Sequence, residues 1–277
     1  MSEAAKAVCE TCPRHCRLAE GAVGFCRARK AQGGRVVPAN YGMATSLALD
    51  PIEKKPLSFF HPGSYILSIG SFGCNLRCPF CQNDSISQRG EGGVPVERIT
   101  PAQLAEVALR LKGERGNIGV AYTYNEPLVG WEFVRDAARE VRARGLVNAI
   151  VSNGCAEAAV IDELAPLIDA ANIDLKGPSQ KYYDWLGGNF DAVCWTIQTL
   201  HARGCHVEVT TLVVPGKNDR EEDMDAIAAV IASVSPEIPL HVTRFYPRFQ
   251  MMDTPTTSAA TIQHLVAVAS RHLKHVL

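Results

Sequence analysis

The chain alternates short apolar runs with longer segments of helical periodicity. The apolar runs are strand-like and lie near residues 64–70, 118–123, 147–152, 171–175, 206–213 and 239–245. Strands that alternate with helical segments in this way are typical of βαβ units and a parallel sheet. The pattern therefore predicts an α/β fold with six parallel strands.

Two of the predicted helices carry an N-terminal capping signal. Thr100 is followed by Pro101 and then by Gln103, and Asp219 is followed three residues later by Glu222. A short polar residue with Glu or Gln three positions on is the pattern of a capping box, and proline suits the first helical position. We therefore expect helices to begin just after Thr100 and just after Asp219.

Size and charge narrow the class of protein. The chain has 277 residues, of which 47% are hydrophobic, and a formal net charge of −1. It can bury a large core and lacks the basic excess of a general nucleic-acid binder. Residues 1–8 lack the positive start and apolar run expected of a signal peptide, and no stretch approaches the roughly 20 apolar residues of a transmembrane helix. We expect a cytoplasmic protein with no membrane or nucleic-acid partner, in which ten cysteines favour metal ligation over disulfides.

Three cysteines follow the first predicted strand with the spacing C-x3-C-x2-C: Cys74, Cys78 and Cys81. Cysteine thiolates bind iron–sulfur clusters and structural zinc. Zinc needs a fourth ligand close by, and the loop offers no convincing one, whereas a four-iron cluster on three thiolates keeps one iron open. Gly73 and Pro79 favour an irregular loop that can wrap a cluster. Three buried thiols or a disulfide are the structural alternative.

This arrangement resembles that of the radical S-adenosylmethionine (SAM) enzymes, whose signature is C-x3-C-x2-C after the first strand of a partial barrel. The resemblance implies a partial (β/α)6 barrel over residues 61–277, a 4Fe-4S cluster on the three cysteines, and SAM chelated to the open iron. It also implies that one electron cleaves the sulfonium and that the resulting 5′-deoxyadenosyl radical abstracts a hydrogen atom. Phe80 is expected near the adenine.

Within that superfamily the chain is similar to the pyruvate formate-lyase-activating enzymes, and more closely to the radical SAM member of the AmmeMemoRadiSam system. The matching words run across most of the chain in the family's order: Cys12-Pro13-Arg14-His15-Cys16, Gly24-Phe25-Cys26, Asp50-Pro51-Ile52-Glu53-Lys54-Lys55-Pro56-Leu57, Cys81-Gln82-Asn83, Tyr122-Thr123-Tyr124-Asn125-Glu126-Pro127 and Asn172-Ile173-Asp174-Leu175-Lys176-Gly177. The combination is far more specific than any single word.

Polar residues follow the second and third predicted strands, at the edge where parallel barrels place their functional side chains. Asn125 and Glu126 stand where the activating enzymes carry a Gly-Gly-Glu-Pro word that binds the amino group of SAM. Ser152 and Asn153 stand where those enzymes carry Thr-Asn-Gly. The resemblance therefore places all four residues at SAM, whereas polar turns that end a strand are the alternative.

The fourth and sixth strands add three further candidates. Asp174 and Lys176 are two positions apart, so their side chains share one face of a strand. By resemblance Lys176 contacts the methionine carboxylate of SAM and Asp174 helps to bind a monovalent cation; a surface salt bridge is the alternative. His241 could reach the nucleoside or the substrate, and a histidine satisfied in the core is at least as good a reading.

The first 60 residues form a Cys-rich extension and a connector. Cys9, Cys12, Cys16 and Cys26 are four potential ligands within 18 residues, which can close a tetrahedral zinc site or hold an auxiliary 4Fe-4S cluster. The polar, proline-rich run from Asp50 to Leu57 is either a solvated connector or, by resemblance, a cap over the barrel mouth. The sequence leaves both choices open.

Three function classes are compatible with these features. The first is a radical SAM enzyme that abstracts hydrogen from a substrate that the sequence does not identify. The second is an activase that installs a glycyl radical on a partner enzyme, and the third is a non-catalytic metal-binding interaction protein. A radical SAM enzyme needs a low-potential electron donor such as flavodoxin or ferredoxin, and the second class also needs a protein substrate.

Overall fold

The computed structural model describes residues 6–277. Its strands are β1 (Ala7–Val8), β2 (Arg17–Leu18), β3 (Arg29–Gln32), β4 (Arg35–Pro38), β5 (Met43–Ala44), β6 (Ser46–Pro51), β7 (Tyr65–Gly70), β8 (Glu97–Arg98), β9 (Asn117–Tyr122), β10 (Val147–Ser152), β11 (Ala170–Asp174), β12 (His206–Val213) and β13 (Leu240–Arg244). Its α-helices are α1 (Asp84–Ser87), α2 (Pro101–Arg115), α3 (Trp131–Ala143), α4 (Ala158–Leu164), α5 (Gln180–Leu186), α6 (Phe190–Ala202), α7 (Glu221–Val234) and α8 (Ala259–Ala269).

Seven strands form the central sheet, in the order β13-β12-β11-β10-β9-β7-β6. The six strands from β7 to β13 in this order pair in parallel and correspond to the six predicted strands, which are confirmed. Strand β6 adds to the edge of β7 in the antiparallel direction. Because β6 and β13 stand at opposite ends of this order, the sheet is an open, partial barrel.

The two faces of the central strands have different surroundings. On β12, Val207 and Val209 are buried in the main core together with Ile227 of α7. Thr210 and Leu212 line a cavity on the inner face. Successive side chains of a strand point to opposite faces, so the helices cover one face and the other face is free to form a site.

Both predicted helices form, but only one of the two predicted capping boxes does. At α2 the capping box is complete, since the Gln103 N–H donates to Thr100 Oγ1 at 3.2 Å and the Thr100 N–H donates to Gln103 Oε1 at 2.9 Å. Helix α7 instead begins after Arg220, which makes no side-chain cap. The Asp219 carboxylate accepts a hydrogen bond from the Gly216 N–H at 2.9 Å and so stabilises the preceding turn instead of the helix.

The N-terminal region consists of short strand pairs followed by a strand of the main sheet. Strand β1 pairs with β2, and β3 pairs with β4, both antiparallel. Strand β6 pairs with β7 over its whole length, from Ser46 opposite Gly70 to Pro51 opposite Tyr65. The boundary between residues 60 and 61 stays a prediction, although β6 already belongs to the barrel sheet.

Within residues 6–277, helices of the length and apolar character needed to cross a membrane are absent.

Candidate active site

The cysteine loop follows β7 and is held close to the N-terminal region. The Cys74 N–H donates to the Cys26 carbonyl at 3.1 Å. Gly73 has a φ of 88°, and a Cβ atom at this position would lie 2.5 Å from the Cys26 oxygen. Only glycine tolerates both this backbone conformation and this approach. The loop therefore begins at a point where two segments of backbone touch.

All three cysteines of the loop are free thiols that line one cavity. Burial raises the pKa of the Cys78 thiol to about 12 and that of Cys74 well above its ordinary value. The Leu76 N–H donates to Cys74 Sγ at 3.3 Å, and the Asn153 side-chain amide approaches the same sulfur at 3.6 Å. Donors aimed at a sulfur stabilise a thiolate, so this loop fits a metal centre that takes up three deprotonated cysteines.

In the part of the chain from residue 6 onward, no group of three or more His, Cys, Asp or Glu residues is arranged to hold a single metal ion. The three loop thiols and the four N-terminal thiols nevertheless each line a common space.

The cavity of about 470 Å³ runs between the cysteine loop and the start of the barrel. The loop lies at the carboxyl end of β7, whereas Lys55 and Pro56 line the other end, just beyond the point where β6 meets the start of β7. Polar ends of β10 and β11 form the side walls. The space is therefore bounded by thiols at one end and by a lysine at the other.

Glu126 lies in the wall of this cavity and is buried, at 3% exposure. Its carboxylate accepts hydrogen bonds from Ser152 Oγ at 2.7 Å, the Leu128 N–H at 2.9 Å and the Asn153 N–H at 2.8 Å. Burial raises its pKa to about 7, against these hydrogen bonds, which lower it. The carboxylate therefore connects the ends of β9 and β10 and still faces the cavity.

Asn125, unlike its neighbour Glu126, uses its side chain to bond the backbone just before the cysteine loop. Its side-chain amide donates to the Phe72 and Gly73 carbonyls at 3.1 Å each, and its oxygen accepts from the Ser71 N–H at 2.9 Å. These bonds fix the backbone that leads into the cysteine loop. Asn125 lines the cavity as predicted for a SAM contact, but the structure places its polar atoms on the loop, and its contact with SAM stays a prediction.

Asp174 and Lys176 come together at the end of β11. Lys176 Nζ lies 2.7 Å from Asp174 Oδ2, and both side chains line the cavity with 16% and 31% exposure. Burial opposes the charge on Lys176, but the Asp174 carboxylate and the Cys78 sulfur raise its pKa well above the ordinary value. The pair is a cavity-facing cation with its own counterion. The cation contact predicted for Asp174 remains a prediction, and the neighbouring strand end presents the apolar Val151.

The other predicted SAM contacts divide into two groups. Phe80, Ser152 and Asn153 line the cavity; Phe80 also packs against Trp185, with ring centroids 5.6 Å apart. His241 is not among the lining residues, because its Nε2 bonds Glu208 Oε2 at 2.6 Å deeper in the fold. The structure therefore gathers seven of the eight predicted contacts around the cysteines and separates His241 from them.

Glu208 is a buried charge that the sequence analysis missed. It is 0% exposed and accepts hydrogen bonds from His206, His241, and the N–H groups of Ser58 and Phe59. Burial alone would raise its pKa, but these four donors lower it to about 2. The available signal was a carboxylate inside the apolar run His206–Val213. The hydrogen bonds from Ser58 and Phe59 to Glu208 hold residues 58–59 across the start of the barrel.

Lys55 and Tyr124 were also missed as site residues. Lys55 Nζ lies 2.8 Å from Asp50 Oδ2, and the Tyr124 hydroxyl donates to the same oxygen at 2.6 Å. Burial lowers the pKa of Lys55, which has a side chain only 3% exposed. Tyr124 adopts a φ of 73°, and its carbonyl accepts from Asn83 at 2.8 Å. The run that begins at Asp50 is therefore built into the cavity and is not a solvated connector.

The four N-terminal cysteines line a second, smaller space. Cys9, Cys12 and Cys26 are buried and Cys16 is half-buried, and all four are free thiols. The Cys9 N–H donates to the Cys16 carbonyl at 2.9 Å, which closes the loop between them. The four cysteines therefore surround one space beside the cysteine loop of the barrel, and their binding of a metal stays a prediction.

Comparison with known proteins identifies the family of this chain. The family model described as the radical SAM superfamily matches residues 68–228. An uncharacterised protein of Methanocaldococcus jannaschii is 38% identical over 93% of this chain and 76% of its own length. The benzylsuccinate synthase activating enzyme of Thauera aromatica is 28% identical over 68% of this chain, which spans only 57% of that relative.

Solved structures support the fold. A radical SAM methyltransferase from Sphaerobacter thermophilus superposes with a TM-score of 0.61 at 15% identity, covering 79% of this chain and 67% of that one. A domain of a pyruvate formate-lyase-activating enzyme from Bacteroides vulgatus gives a TM-score of 0.51 at 17% identity, with 57% and 97% covered. The family match, the cysteine loop at the end of β7 and the polar strand ends around it lead to one conclusion: the chain belongs to the radical SAM superfamily of enzymes, which use SAM and a 4Fe-4S cluster.

Proposed function

We propose that this chain reductively cleaves SAM and abstracts a hydrogen atom from a substrate bound in the cavity of the partial barrel. The observation that carries the proposal is that three free thiols, the Glu126 carboxylate and the Asp174–Lys176 pair all line one cavity. When bound to Cys74, Cys78 and Cys81, a 4Fe-4S cluster supplies the electron that breaks the sulfonium bond of SAM.

The charged side chains of the cavity are complementary to the carboxylate and the amino group of the methionine part of SAM. Lys176 offers an ammonium group to a carboxylate, and Asp174 keeps that ammonium ionised and oriented. Glu126 offers a carboxylate oxygen to an amino group, and its bonds to Ser152 and Leu128 prevent it from rotating. Charge-assisted hydrogen bonds of this kind are the stronger ones. The aromatic face of Phe80 suits a purine ring.

The substrate is proposed to occupy the end of the cavity near Lys55. This end lies away from the cysteine loop and carries Lys54 and Lys55 against the single carboxylate of Asp50. A local excess of positive charge favours a substrate with an anionic group. The fold alone does not fix the reaction, since partial barrels host many chemistries.

An activase that acts on a partner enzyme is the alternative. It is favoured by the relatives named as activating enzymes, including the Thauera protein at 28% identity. In that case the cavity would receive a glycine-bearing loop of a second protein. Either function requires a low-potential one-electron donor such as flavodoxin or ferredoxin. The ten free cysteines of the structure support a reducing compartment such as the cytoplasm.

The test is anaerobic reconstitution with iron and sulfide, reduction with dithionite, addition of SAM, and quantification of 5′-deoxyadenosine. The wild type should form it, and Cys78→Ala should not. Cys194→Ser is the matched control, because Cys194 lies on α6 outside both cysteine sites. Equal product from Cys78→Ala would contradict the proposal. A glycyl radical doublet in the electron paramagnetic resonance (EPR) spectrum of an added partner would instead support the activase.

A further inference from the structure

On the basis of the proposed function, we infer that the inner end of the cavity binds a hydroxyl group of the substrate between Asn172 and Thr210. This site makes the substrate a small anion that also carries a hydroxyl group. Asn172 lies on β11 and Thr210 on the neighbouring strand β12, and both residues line the cavity. Neither residue belongs to the SAM contacts described above.

Asn172 lies between two layers of the barrel interior. Ala170, Asn172 and Asp174 alternate along β11, so their side chains share one face of the strand. Ala170, the first residue of the strand, belongs to a buried apolar cluster that includes Ile52. Asp174, the last residue, pairs with Lys176. Asn172 is therefore one step of about 7 Å along the strand from the pair proposed to hold SAM, on the side away from the cysteine loop.

The buried Asn172 side chain leaves one polar atom without a partner. Its Nδ2 donates to the Pro56 carbonyl and to Thr210 Oγ1, at 2.9 Å each. A carbonyl oxygen can only accept, so the contact with Pro56 fixes the orientation of the amide. The buried Oδ1 has no hydrogen-bond partner among residues 6–277. Such an acceptor calls for an explanation, because burial without a hydrogen bond is unfavourable.

The position of Asn172 distinguishes it from similar residues. Four other buried side chains of the described chain have a polar atom without a partner, but none of them lines this cavity: Arg29, Asn40, Ser64 and Tyr182. The acceptor of Asn172 therefore belongs to the one residue of this group that a ligand of the cavity can approach.

Thr210 supplies a donor next to this acceptor. Its Oγ1 accepts from Asn172, and its hydroxyl makes no other hydrogen bond in the described part of the chain. The two ends of an amide group are about 2.3 Å apart, so Asn172 Oδ1 lies within about 5 Å of Thr210 Oγ1. A single oxygen atom with hydrogen bonds of about 2.7 Å can bridge two atoms at this separation.

A hydroxyl group suits this acceptor and donor better than other substituents do. It donates and accepts on one atom, whereas an amide divides these functions between two atoms. An ammonium group can donate to Asn172 Oδ1 but cannot accept from Thr210, and a carboxylate can only accept. A methylene group does neither and would leave the buried Oδ1 unpaired. The pair therefore selects a hydroxylated substrate.

The anionic part of the substrate is assigned to the lysines that adjoin this end of the cavity. Pro56, whose carbonyl binds Asn172, directly follows Lys54 and Lys55, and all three line the cavity. The two ammonium groups share the Asp50 carboxylate, at 3.5 and 2.8 Å. One carboxylate leaves a net positive charge, which attracts an anion. The substrate class is therefore a small hydroxylated anion, such as a hydroxy acid or a sugar phosphate.

The test titrates matched pairs of anions into the full chain, which is reconstituted with iron and sulfide and saturated with SAM in the absence of a reductant. The pairs are L-lactate and propionate, glycerol 3-phosphate and propyl phosphate, and gluconate and hexanoate. The members of a pair share chain length and charge and differ in their hydroxyl groups. Isothermal titration calorimetry measures the dissociation constants. In at least one pair the hydroxylated anion should bind about tenfold more tightly.

Variants of Thr210 assign this preference to the proposed site. Thr210→Val should abolish the preference, because the donor is lost, and Thr210→Ser should retain it, because the hydroxyl is kept. Thr199→Val is the matched control, since Thr199 lies on α6 outside the cavity. It should bind both members of each pair as the wild type does. Circular dichroism checks that all three variants are folded.

The outcomes separate the hydroxyl site from SAM cleavage. Equal affinity within all three pairs would overturn the inference and would mean that water satisfies Asn172. A preference that persists in Thr210→Val would overturn it as well, because the hydroxyl would then bind elsewhere. The titration supplies no electron and requires no cleavage. A wild type that shows the preference but forms no 5′-deoxyadenosine on reduction would therefore count only against the proposed function.

Discussion

Lys176 Nζ lies 2.7 Å from Asp174 Oδ2, and both side chains face the cavity that the cysteine loop closes. The ammonium group is thus held ionised at a point where a carboxylate can reach it. Asp174 is the last residue of β11, and Lys176 lies two residues beyond it.

Lys176→Met should weaken SAM binding by roughly ten- to a hundredfold, since a charge-assisted hydrogen bond contributes about 1.5–3 kcal/mol. Equilibrium dialysis of reconstituted protein with labelled SAM measures this change, with iron content determined in parallel. Lys181→Met is the matched control, because Lys181 is exposed on α5. Unchanged SAM affinity at full iron content would show that Lys176 does not bind the carboxylate.

The ion pair between Lys55 and Asp50 should matter for stability. Lys55→Met leaves the mostly buried Asp50 carboxylate with the Tyr124 hydroxyl and the more distant Lys54, so the free energy of unfolding should fall by about 3 kcal/mol. Asp50→Asn combined with Lys55→Met should recover most of the loss, because no unpaired charge is left. Lys54→Met, at a side chain 67% exposed, should have little effect. Urea unfolding measures the free energy of unfolding of all three variants. A double variant as unstable as Lys55→Met would argue that packing of the lysine stem is what counts.

The sequence predicted those parts of the fold that depend on local pattern. Six apolar runs became six parallel strands, and the cysteine loop lies directly after β7. Strand β6 was not predicted, because its polar, proline-ended sequence becomes a strand only by pairing with β7. The capping box at the start of α7 was mispredicted because the Asp219 carboxylate bonds the Gly216 N–H instead.

The site was predictable where a polar or charged residue directly follows a predicted strand. Glu126, Asp174 and Lys176 all face the cavity. Contacts between distant segments were not predictable. Glu208 is bonded by the N–H groups of Ser58 and Phe59, about 150 positions earlier in the chain. His241 is bound to the same carboxylate, and no periodicity in one strand reveals such a partner.

Glu126 should make stability depend on pH in the direction opposite to most carboxylates. Its pKa is about 7 in the folded protein and near 4.5 when unfolded, so the folded state binds more protons between these values. The free energy of unfolding of the metal-free protein should therefore fall as pH rises from about 4.5 to 7, by on the order of 3 kcal/mol from this group.

Urea unfolding at several pH values, compared with Glu126→Gln, isolates this contribution. The glutamine cannot ionise, so the difference between the two proteins should change with pH over that interval and become constant above it. The variant should be less stable at low pH, because its amide group would face one of the N–H donors that the carboxylate accepts. A difference that does not vary with pH would mean that Glu126 titrates normally.

Gly73 should be essential to the cysteine loop, because there the loop backbone touches the backbone of Cys26. An alanine Cβ would lie 2.5 Å from the Cys26 oxygen and 2.7 Å from the Ala28 side chain, and the φ of 88° is itself unfavourable for alanine. Gly73→Ala should therefore break the bond from the Cys74 N–H to the Cys26 carbonyl and lower the iron content of the reconstituted protein. Gly63→Ala is the matched control, since Gly63 has a φ of 79° and nothing within 4 Å of its Cβ position. It should show only the backbone cost of about 1 kcal/mol, with iron content unchanged. Equal iron loading of the two variants would mean that the cysteine loop binds iron independently of this contact.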